Sequence, residues 1–219
     1  MRRQRPRGTI TQDAVIDAAL IIVDHSKVDG LTIRAVARQV GAPPMSLYSH
    51  FANKEQLLDL MYVEIVRRMY PDHGHASWQS ELFALCQHIR SVLLEHPNWT
   101  VLLSRPAAQH SVPVRERILA MMVADGMGPD VALMALSGAV LSSMGFVLGE
   151  LTLRTSSGDS TLAHRYERLR EWSETAEDAP VTSSAMAKTE RFDPDAVFLF
   201  TLRALVQGIS VPHAAAMEA

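Results

Sequence analysis

The sequence predicts an all-α protein with a small N-terminal domain of three helices and a larger helical C-terminal domain. Apolar residues recur at helical spacing along most of the chain, whereas no segment shows the sustained period-two alternation of a half-buried strand. The connector Gly-Ala-Pro-Pro at 41–44 indicates a tight turn between two short helices. We place the two domains at 8–68 and 69–211.

Composition is that of a soluble protein, and positive charge is concentrated in the N-terminal third of the chain. Hydrophobic residues make up 47% of the 219 residues and charged residues 21%. Residues 1–70 contain ten Lys/Arg and seven Asp/Glu, and residues 71–219 contain eleven and seventeen, which indicates either a polyanion-binding front or a solubilising tail. The single cysteine, Cys86, is expected in the core. It cannot form an intramolecular disulfide, and no apolar run follows the N-terminal arginines, so we expect a cytoplasmic protein.

Four helices are predicted before residue 71, each with a capping signal. Thr11, Thr32 and Asn53 have side chains that accept a hydrogen bond from a first helical turn. Gly41 supplies the positive φ that commonly ends a helix, and Pro44 suits a first turn. The predicted spans are 12 to about 27–30, 33–40, 44 to about 51, and 54 to about 70.

The rest of the chain is predicted to hold longer helices and one polar region. The stretch 155–192 is rich in Ser, Thr and Glu, so we expect one polar helix at about 161–174 and otherwise loop or disorder. The other predicted helices are at about 77–95, 99–104, 112–125, 129–154 and 193–209.

The helices around the connector have the arrangement of a helix-turn-helix, in which the second helix enters the DNA major groove. That helix must be compact and must expose small or hydrogen-bonding side chains. Residues 44–50, Pro-Met-Ser-Leu-Tyr-Ser-His, meet this need. Leu47 and Phe51, four residues apart, are predicted to anchor the inner face.

Three pieces of this region resemble the DNA-binding domain of the TetR family. They are L-T-I-R-A-V-A-R-Q-V-G at 31–41, L-Y-S-H-F at 47–51 and N-K-E-Q-L-L at 53–58. Weaker pieces, W-Q-S-E-L at 78–82, S-R-P at 104–106 and the run from 198 to 209, resemble the C-terminal domain of the tetracycline-repressor branch. The resemblance implies a DNA-binding transcriptional regulator, most simply a repressor that a small-molecule effector releases from its operator.

By position, the resemblance implies a set of residues that contact double-stranded DNA. Arg34 matches a residue that reaches base edges or phosphate. Each member also has an ordinary interpretation: an inner-face aromatic for Tyr48, a surface histidine for His50, and solvated charges for the cations. Pro43 departs from the family, where a capping residue is frequent, so a tilted helix start is expected. The implied base-reading residues are Pro44, Met45 and Ser46, and the implied phosphate-binding residues are Tyr48, His50 and Lys54.

The segment from 131 to 149 contains no charged residue. About 20 strongly apolar residues span a bilayer, and this segment is diluted by serines and glycines, so we expect no membrane insertion. The resemblance implies instead a homodimer through a four-helix bundle, on a pseudo-palindromic operator. The alternative is packing within one subunit. The predicted interface pairs a stripe of small residues, Gly138, Ser142, Gly145 and Gly149, with a stripe of large residues, Phe198, Leu202, Leu205 and Ile209.

The resemblance further implies an effector pocket in the C-terminal domain for an apolar or amphipathic small molecule. Methionines at helical spacing are equally typical of an ordinary core. The candidate apolar lining residues are Trp99, Leu102, Leu103, Met121, Met122, Met134 and Met144, and the candidate polar anchors are His88, His96 and His110.

Neither a metal nor another cofactor is expected. Val101 stands where tetracycline repressors hold a metal-binding histidine, and Asp-His-Gly-His at 72–75 is only a weak metal site. The sequence has no dinucleotide-binding, zinc-protease or nucleophile-elbow motif, so we expect no enzyme. The remaining alternative is an architectural or constitutive DNA-binding protein without a ligand cavity.

Overall fold

The computed structural model describes residues 10–105, 112–152, 161–176, 178–189 and 193–210. These residues form helices joined by turns, with no strand among them. The predicted all-α class is confirmed. Two compact units are present: unit 1, with its described residues within 10–71 and 95–117, and unit 2, with its described residues within 72–94 and 118–210.

The first helices of unit 1 begin and end at the predicted capping residues. Helix α1 spans Gln12–Ser26, and the Thr11 hydroxyl oxygen accepts a hydrogen bond from the backbone N–H of Ala14. Helix α2 spans Ile33–Val40, and Thr32 caps it in the same way. Gly41 ends α2 with a φ of +73°, the left-handed conformation that favours glycine.

The helix that follows the 41–44 connector is shorter than predicted. Helix α3 spans only Pro44–Leu47, and the chain continues as turns to His50 instead of remaining helical to Phe51. Pro43 precedes α3 and gives no side-chain cap. The Ser49 hydroxyl donates to the carbonyl oxygen of Ser46 at 2.7 Å, and such local side-chain bonds compete with helix continuation. Helix α4 spans Lys54–Met69, capped by Asn53 as predicted.

The segment from 95 to 117 groups with the N-terminal helices, although the predicted domain boundary at 68/69 placed it in the C-terminal domain. It contains the 3-10 helix Pro97–Ser104. His96 Nδ1 lies 2.9 Å from Asp24 Oδ2 on α1, and the amide of Asn98 donates to the Asp24 carbonyl oxygen at 2.9 Å. Arg105 pairs with two carboxylates of α4. Non-local polar contacts of this kind explain the grouping.

Unit 2 is built on α5 (Trp78–Glu95), the latter part of α6 (Val112–Ala124), α7 (Pro129–Thr152) and α10 (Pro194–Ile209). The inner face of α5 is buried, including Cys86, as predicted. Burial raises the pKa of the Cys86 thiol to about 11, so the thiol is protonated and unreactive at neutral pH. The indole N–H of Trp78 donates to Asp125 at 2.7 Å.

A partly buried arginine joins three helices of unit 2. The guanidinium of Arg90 on α5 donates to both carboxylate oxygens of Glu150 on α7, at 2.7 and 2.8 Å. It also lies 2.7 Å from Asp195 at the start of α10 and 5.0 Å from the ring centre of Phe198. Hydrogen bonding to Glu150 raises the pKa of Arg90. Glu150 is itself buried, so Arg90 compensates the burial of its carboxylate.

The polar region holds one helix more than predicted. Helix α8 spans Thr161–Thr175, close to the predicted polar helix, and α9 spans Pro180–Lys188 where loop or disorder was expected. Helix α9 packs on α8: the Ser183 hydroxyl donates to the Ser173 carbonyl oxygen at 2.7 Å, and Arg170 donates to the Thr189 carbonyl oxygen at 2.6 Å. The loop or disorder expected at 155–160 and 190–192, and the predicted helical residues 153 and 154, fall outside the described residues.

Candidate nucleic-acid interface and effector-binding residues

Helix α3 is exposed on one side and anchored in the core of unit 1 on the other. Leu47 is 0% exposed and Phe51 is buried, so the predicted anchors of the inner face are confirmed. Met45 is 78% exposed, and Pro44 and Ser46 are also exposed. These three side chains therefore point away from the core of unit 1, as a major-groove helix requires.

Tyr48 lies on the outer side of the helix-turn-helix. Its side chain is 46% exposed, and its ring centre is 6.0 Å from that of Phe51 at a tilt of 54°. The alternative of an inner-face aromatic is therefore wrong. The hydroxyl of a tyrosine held in this way is accessible to an acceptor from outside the protein.

The remaining predicted contacts are accessible cations and a half-buried histidine. Arg34 on α2 and Lys54 at the start of α4 are exposed, and in the described part of the chain neither forms an ion pair. The side-chain amide of Gln12 donates to the carbonyl oxygen of His50 at 2.8 Å, which fixes the turn after α3. Arg38, one turn after Arg34, is likewise exposed. Because residues four apart lie on the same side of a helix, this spacing could have added Arg38 to the candidate DNA contacts, which the sequence analysis did not do.

Ser46 keeps acceptor capacity towards a ligand. Its hydroxyl donates to the Pro43 carbonyl oxygen at 2.7 Å, which occupies the hydroxyl proton. The oxygen lone pairs stay available to a base-edge amino group. Met45, next to it, offers only apolar contact, so the pair presents one polar and one apolar side chain on the exposed face of α3.

The candidate effector residues divide between the units. In unit 1, Trp99 and Leu102 are buried and Leu103 is half-buried. The ring of His96 stacks on Trp99 with centres 3.8 Å apart. Since His96 Nδ1 is already occupied by Asp24, this side of the ring is not a free polar anchor.

In unit 2, the candidates occupy different environments. Met122 is fully buried, as in an ordinary core, whereas Met134 is exposed on α7. Met121 and Met144 are half-buried, and His88 contacts His73 edge-on at 5.5 Å between ring centres. His110 lies outside the described residues. A single pocket formed by this set stays a prediction.

The predicted interface stripes have different positions in the structure. Gly138, Ser142 and Gly145 are exposed, and a Cβ at Gly138, Gly145 or Gly149 would meet no atom within 4 Å. Among the described residues, no backbone therefore approaches the glycines of the small-residue stripe closely.

The large-residue stripe of α10 packs within one chain, where Phe198, Leu202 and Leu205 line a groove together with Ser142 of the small-residue stripe. The pairing of the two stripes across a dimer stays a prediction. Phe198 and Leu202 are buried within one chain, where Phe198 packs on Phe146 of α7 with ring centres 5.1 Å apart. Leu205 and Ile209 are half-buried. Both faces of α10 are apolar, so periodicity does not choose between them. The exposed line of α10 consists of Val197, Phe200, Thr201 and Ala204.

Helix α7 is long and apolar enough to cross a membrane by length and composition, although this criterion is also met by core helices of soluble proteins. Leu141 is 66% exposed, and Met134 and Leu148 are exposed along the same helix. A groove between α7 and α10 is lined by Ser142 and Thr201, so the exposed lines of the two helices meet there. Together they form one apolar surface, here called the α7/α10 face.

The described residues contain no group of three or more His, Cys, Asp or Glu side chains placed to hold a metal ion. In the Asp-His-Gly-His segment, the rings of His73 and His75 stack with centres 6.2 Å apart. Val101, which the resemblance placed at the position of a metal-binding histidine, is exposed.

Comparison with known proteins identifies the family. Residues 15–61 match the family model "Bacterial regulatory proteins, tetR family", and residues 70–212 match "Tetracyclin repressor-like, C-terminal domain". The chain belongs to the TetR family. It is therefore a ligand-responsive, DNA-binding transcriptional regulator of the repressor type.

Several TetR-family relatives cover most of the chain. An HTH-type transcriptional regulator of Saccharopolyspora erythraea is 31% identical over 170 residues, covering 76% of this chain and 68% of the relative. The tetracycline repressor protein class D of Escherichia coli is 28% identical over 220 residues, covering 95% and 93%. The TetR-family protein ActR of Streptomyces coelicolor, solved with actinorhodin, has the same fold, with a TM-score of 0.72, 21% identity and coverage of 92% and 96%. These relatives are regulators, a class that is generally not enzymatic.

Proposed function

We propose that the protein is a homodimeric cytoplasmic repressor that holds two α3 helices in successive major grooves of a pseudo-palindromic operator and leaves it when an effector binds. One observation carries the DNA-binding part: Met45 and its neighbours project from a helix whose other side is anchored by fully buried Leu47. Two-fold symmetry would place the two α3 helices, here called the reading heads, about 34–36 Å apart.

The residues around α3 divide into two roles. Pro44, Met45 and Ser46 read bases, and Met45 does so through apolar contact, such as with a thymine methyl. Arg34 reaches base edges or phosphate. The other residues bind phosphate, which fixes register without reading sequence. Exposure and the absence of ion pairs at Arg34 and Lys54 in the described residues support these roles. The phosphate-binding residues are Tyr48, His50 and Lys54.

Dimerisation uses the α7/α10 face. An apolar surface of this kind is costly in water, and a second copy of the chain covers it with the same surface by two-fold symmetry. A membrane is the less suitable partner, because α7 carries Glu150 with its ion partner Arg90 and a diluting row of small residues. The stripe from Gly138 to Gly149 allows close approach of the partner's helices.

Effector control acts through the segment from 95 to 117. This segment holds α1 through Asp24 and α4 through Glu55 and Asp59, so its displacement changes the two helices that flank the reading head. An apolar or amphipathic ligand beside Trp99 and Leu102 would shift the population towards a form with wrongly placed heads. No metal is required, because Val101 has no ligating atom; a magnesium-dependent response to tetracycline would contradict this.

Binding to the region upstream of the protein's own coding sequence tests the proposal. In a gel-shift assay we expect a dissociation constant of about 10⁻⁸–10⁻¹¹ M, at least roughly 10³-fold tighter than for an unrelated fragment of equal length. Equal binding to both fragments, or no binding to duplex DNA at low salt, would refute a site-specific regulator acting at that region.

Substitution of Tyr48 by Phe tests the phosphate role. Removing the hydroxyl deletes one hydrogen bond to an ionised acceptor, so we expect all operator variants to be weakened by a similar factor, about tenfold. Tyr48 is 46% exposed, so the thermal midpoint should stay within a few degrees. A change in the preferred base sequence would show instead that Tyr48 reads a base.

A further inference from the structure

We propose that unit 2 carries a second ligand site, in the cleft between the N-terminal half of α5 and the C-terminal half of α10, which binds a small amphipathic carboxylate. The cleft lies on the outward side of α5, and none of the candidate effector residues lines it. The site is independent of operator binding.

The cleft is large enough for a small molecule. The described residues leave about 460 Å³ open there, within the range of about 300–1,000 Å³ that is usual for ligand pockets. An eight-carbon acid fits this space. The principal residues at the cleft are His75, Gln79, Phe83, Gln87, Arg203 and Gln207.

One side of the cleft is apolar. Phe83 and Ala84 on α5 are half-buried, and Val206 on α10 is buried. A hydrocarbon body placed on these side chains would remove apolar surface of both partners from water. This part of the cleft selects a ligand with an apolar body.

The polar part of the cleft calls for a single negative charge. Arg203 has no ion pair among the described residues, and no residue that lines the cleft is acidic. A guanidinium binds a carboxylate through two parallel hydrogen bonds, and the amides of Gln87 and Gln207 supply further donors. A doubly charged phosphate would meet only one permanent cation, because His75 is the other basic group of the cleft, and a neutral ligand would leave the guanidinium unused. A monocarboxylate fits both the charge and the donors.

The rim of the cleft is fixed before a ligand arrives. The carboxylate oxygens of buried Glu81 accept the backbone N–H groups of His73 and His75, each at 3.1 Å. Asp72 accepts the N–H of Gly74 at 2.8 Å. The loop that carries His75 is thus tied to α5, so binding does not have to order it.

Calorimetric titration of the full chain with octanoate, and with 1-octanol as the uncharged match, tests the site. We expect octanoate to bind at least about tenfold more tightly than octanol, since a charge-assisted hydrogen bond contributes this much or more. Arg203→Gln should abolish the preference, and Arg203→Lys should keep part of it. Arg168→Gln, which removes an exposed arginine of α8 outside the cleft, should change nothing.

A second variant shows whether octanoate binds in this cleft or elsewhere on the protein. Phe83→Glu places a negative charge on the apolar side of the cleft and should reduce octanoate affinity at least tenfold, while the helical circular dichroism signal stays unchanged. The proposal is overturned if wild-type protein binds no octanoate. It is equally overturned if Arg203→Gln and Phe83→Glu, both folded, bind octanoate as Arg168→Gln does.

Discussion

Phe200→Glu should convert the repressor into a monomer that no longer holds its operator. Phe200 is 75% exposed on α10, so the substitution leaves the core of one chain intact. In the dimer, the new carboxylate would lie in an apolar interface, where an unpaired charge costs several kcal/mol. Sedimentation should show a monomer, and operator affinity should fall about 100-fold or more. The reason is that binding of one α3 helix would no longer hold a second α3 helix close to the other half of the operator.

Val123→Glu is the matched control for this experiment. Val123 is an exposed apolar residue of α6, away from the α7/α10 face, and the same change in charge there should leave the dimer and its operator affinity unaltered. If Phe200→Glu stayed dimeric at micromolar concentration, the α7/α10 face would not be the interface.

Arg90→Ala should cost about 3–5 kcal/mol of unfolding free energy, because it leaves the buried carboxylate of Glu150 without its partner. The same truncation removes the contact of the guanidinium with Phe198. Urea denaturation measures the loss. A second substitution, Glu150→Gln in the Arg90→Ala background, should recover part of the stability because it removes the unpaired charge.

Asp195→Asn separates the buried part of this ion cluster from its exposed part. The Asp195 side chain is 73% exposed, and exposed ion pairs contribute about 0–1 kcal/mol. The account is contradicted if Arg90→Ala costs no more than this control does.

The N-terminal helices could be predicted because their signals are local. Thr11, Thr32 and Asn53 cap first turns by bonds to residues three positions on, and Gly41 ends α2 through its own φ. The inner anchors of α3 followed from a spacing of four residues. Only the length of α3 was wrong, because the serine hydroxyls around it bond to nearby carbonyl oxygens.

The features that sequence reasoning missed depend on non-local contacts. Helix α9 packs on α8, and this contact between separate segments cannot be predicted from the local serine-rich sequence of α9. The buried face of α10 could not be chosen from the sequence because Phe198 and Phe200 are equally apolar, and only the packing of Phe198 on Phe146 distinguishes them. The contact of Arg105 with α4 spans 46 residues and has no periodic signature.

The candidate site divides in the same way. The proposed DNA-contacting residues all lie between 34 and 54, so the motifs that resemble the TetR family identified them as one group. The effector set was assembled by residue type, and its members have environments as different as buried Met122 and exposed Met134. Residue type alone does not specify which side chains share a cavity.

The preference of the Met45→Ala variant among operator sequences tests most directly whether the exposed face of α3 reads bases. Binding would be measured on a library of operators that differ by single base pairs, with wild-type protein as the reference. Because Met45 is 78% exposed and belongs to neither core, stability should be unchanged. We expect discrimination to relax by about 1–3 kcal/mol at one symmetry-related pair of positions and to remain elsewhere. An unchanged preference at every position would contradict the placement of α3 in the major groove.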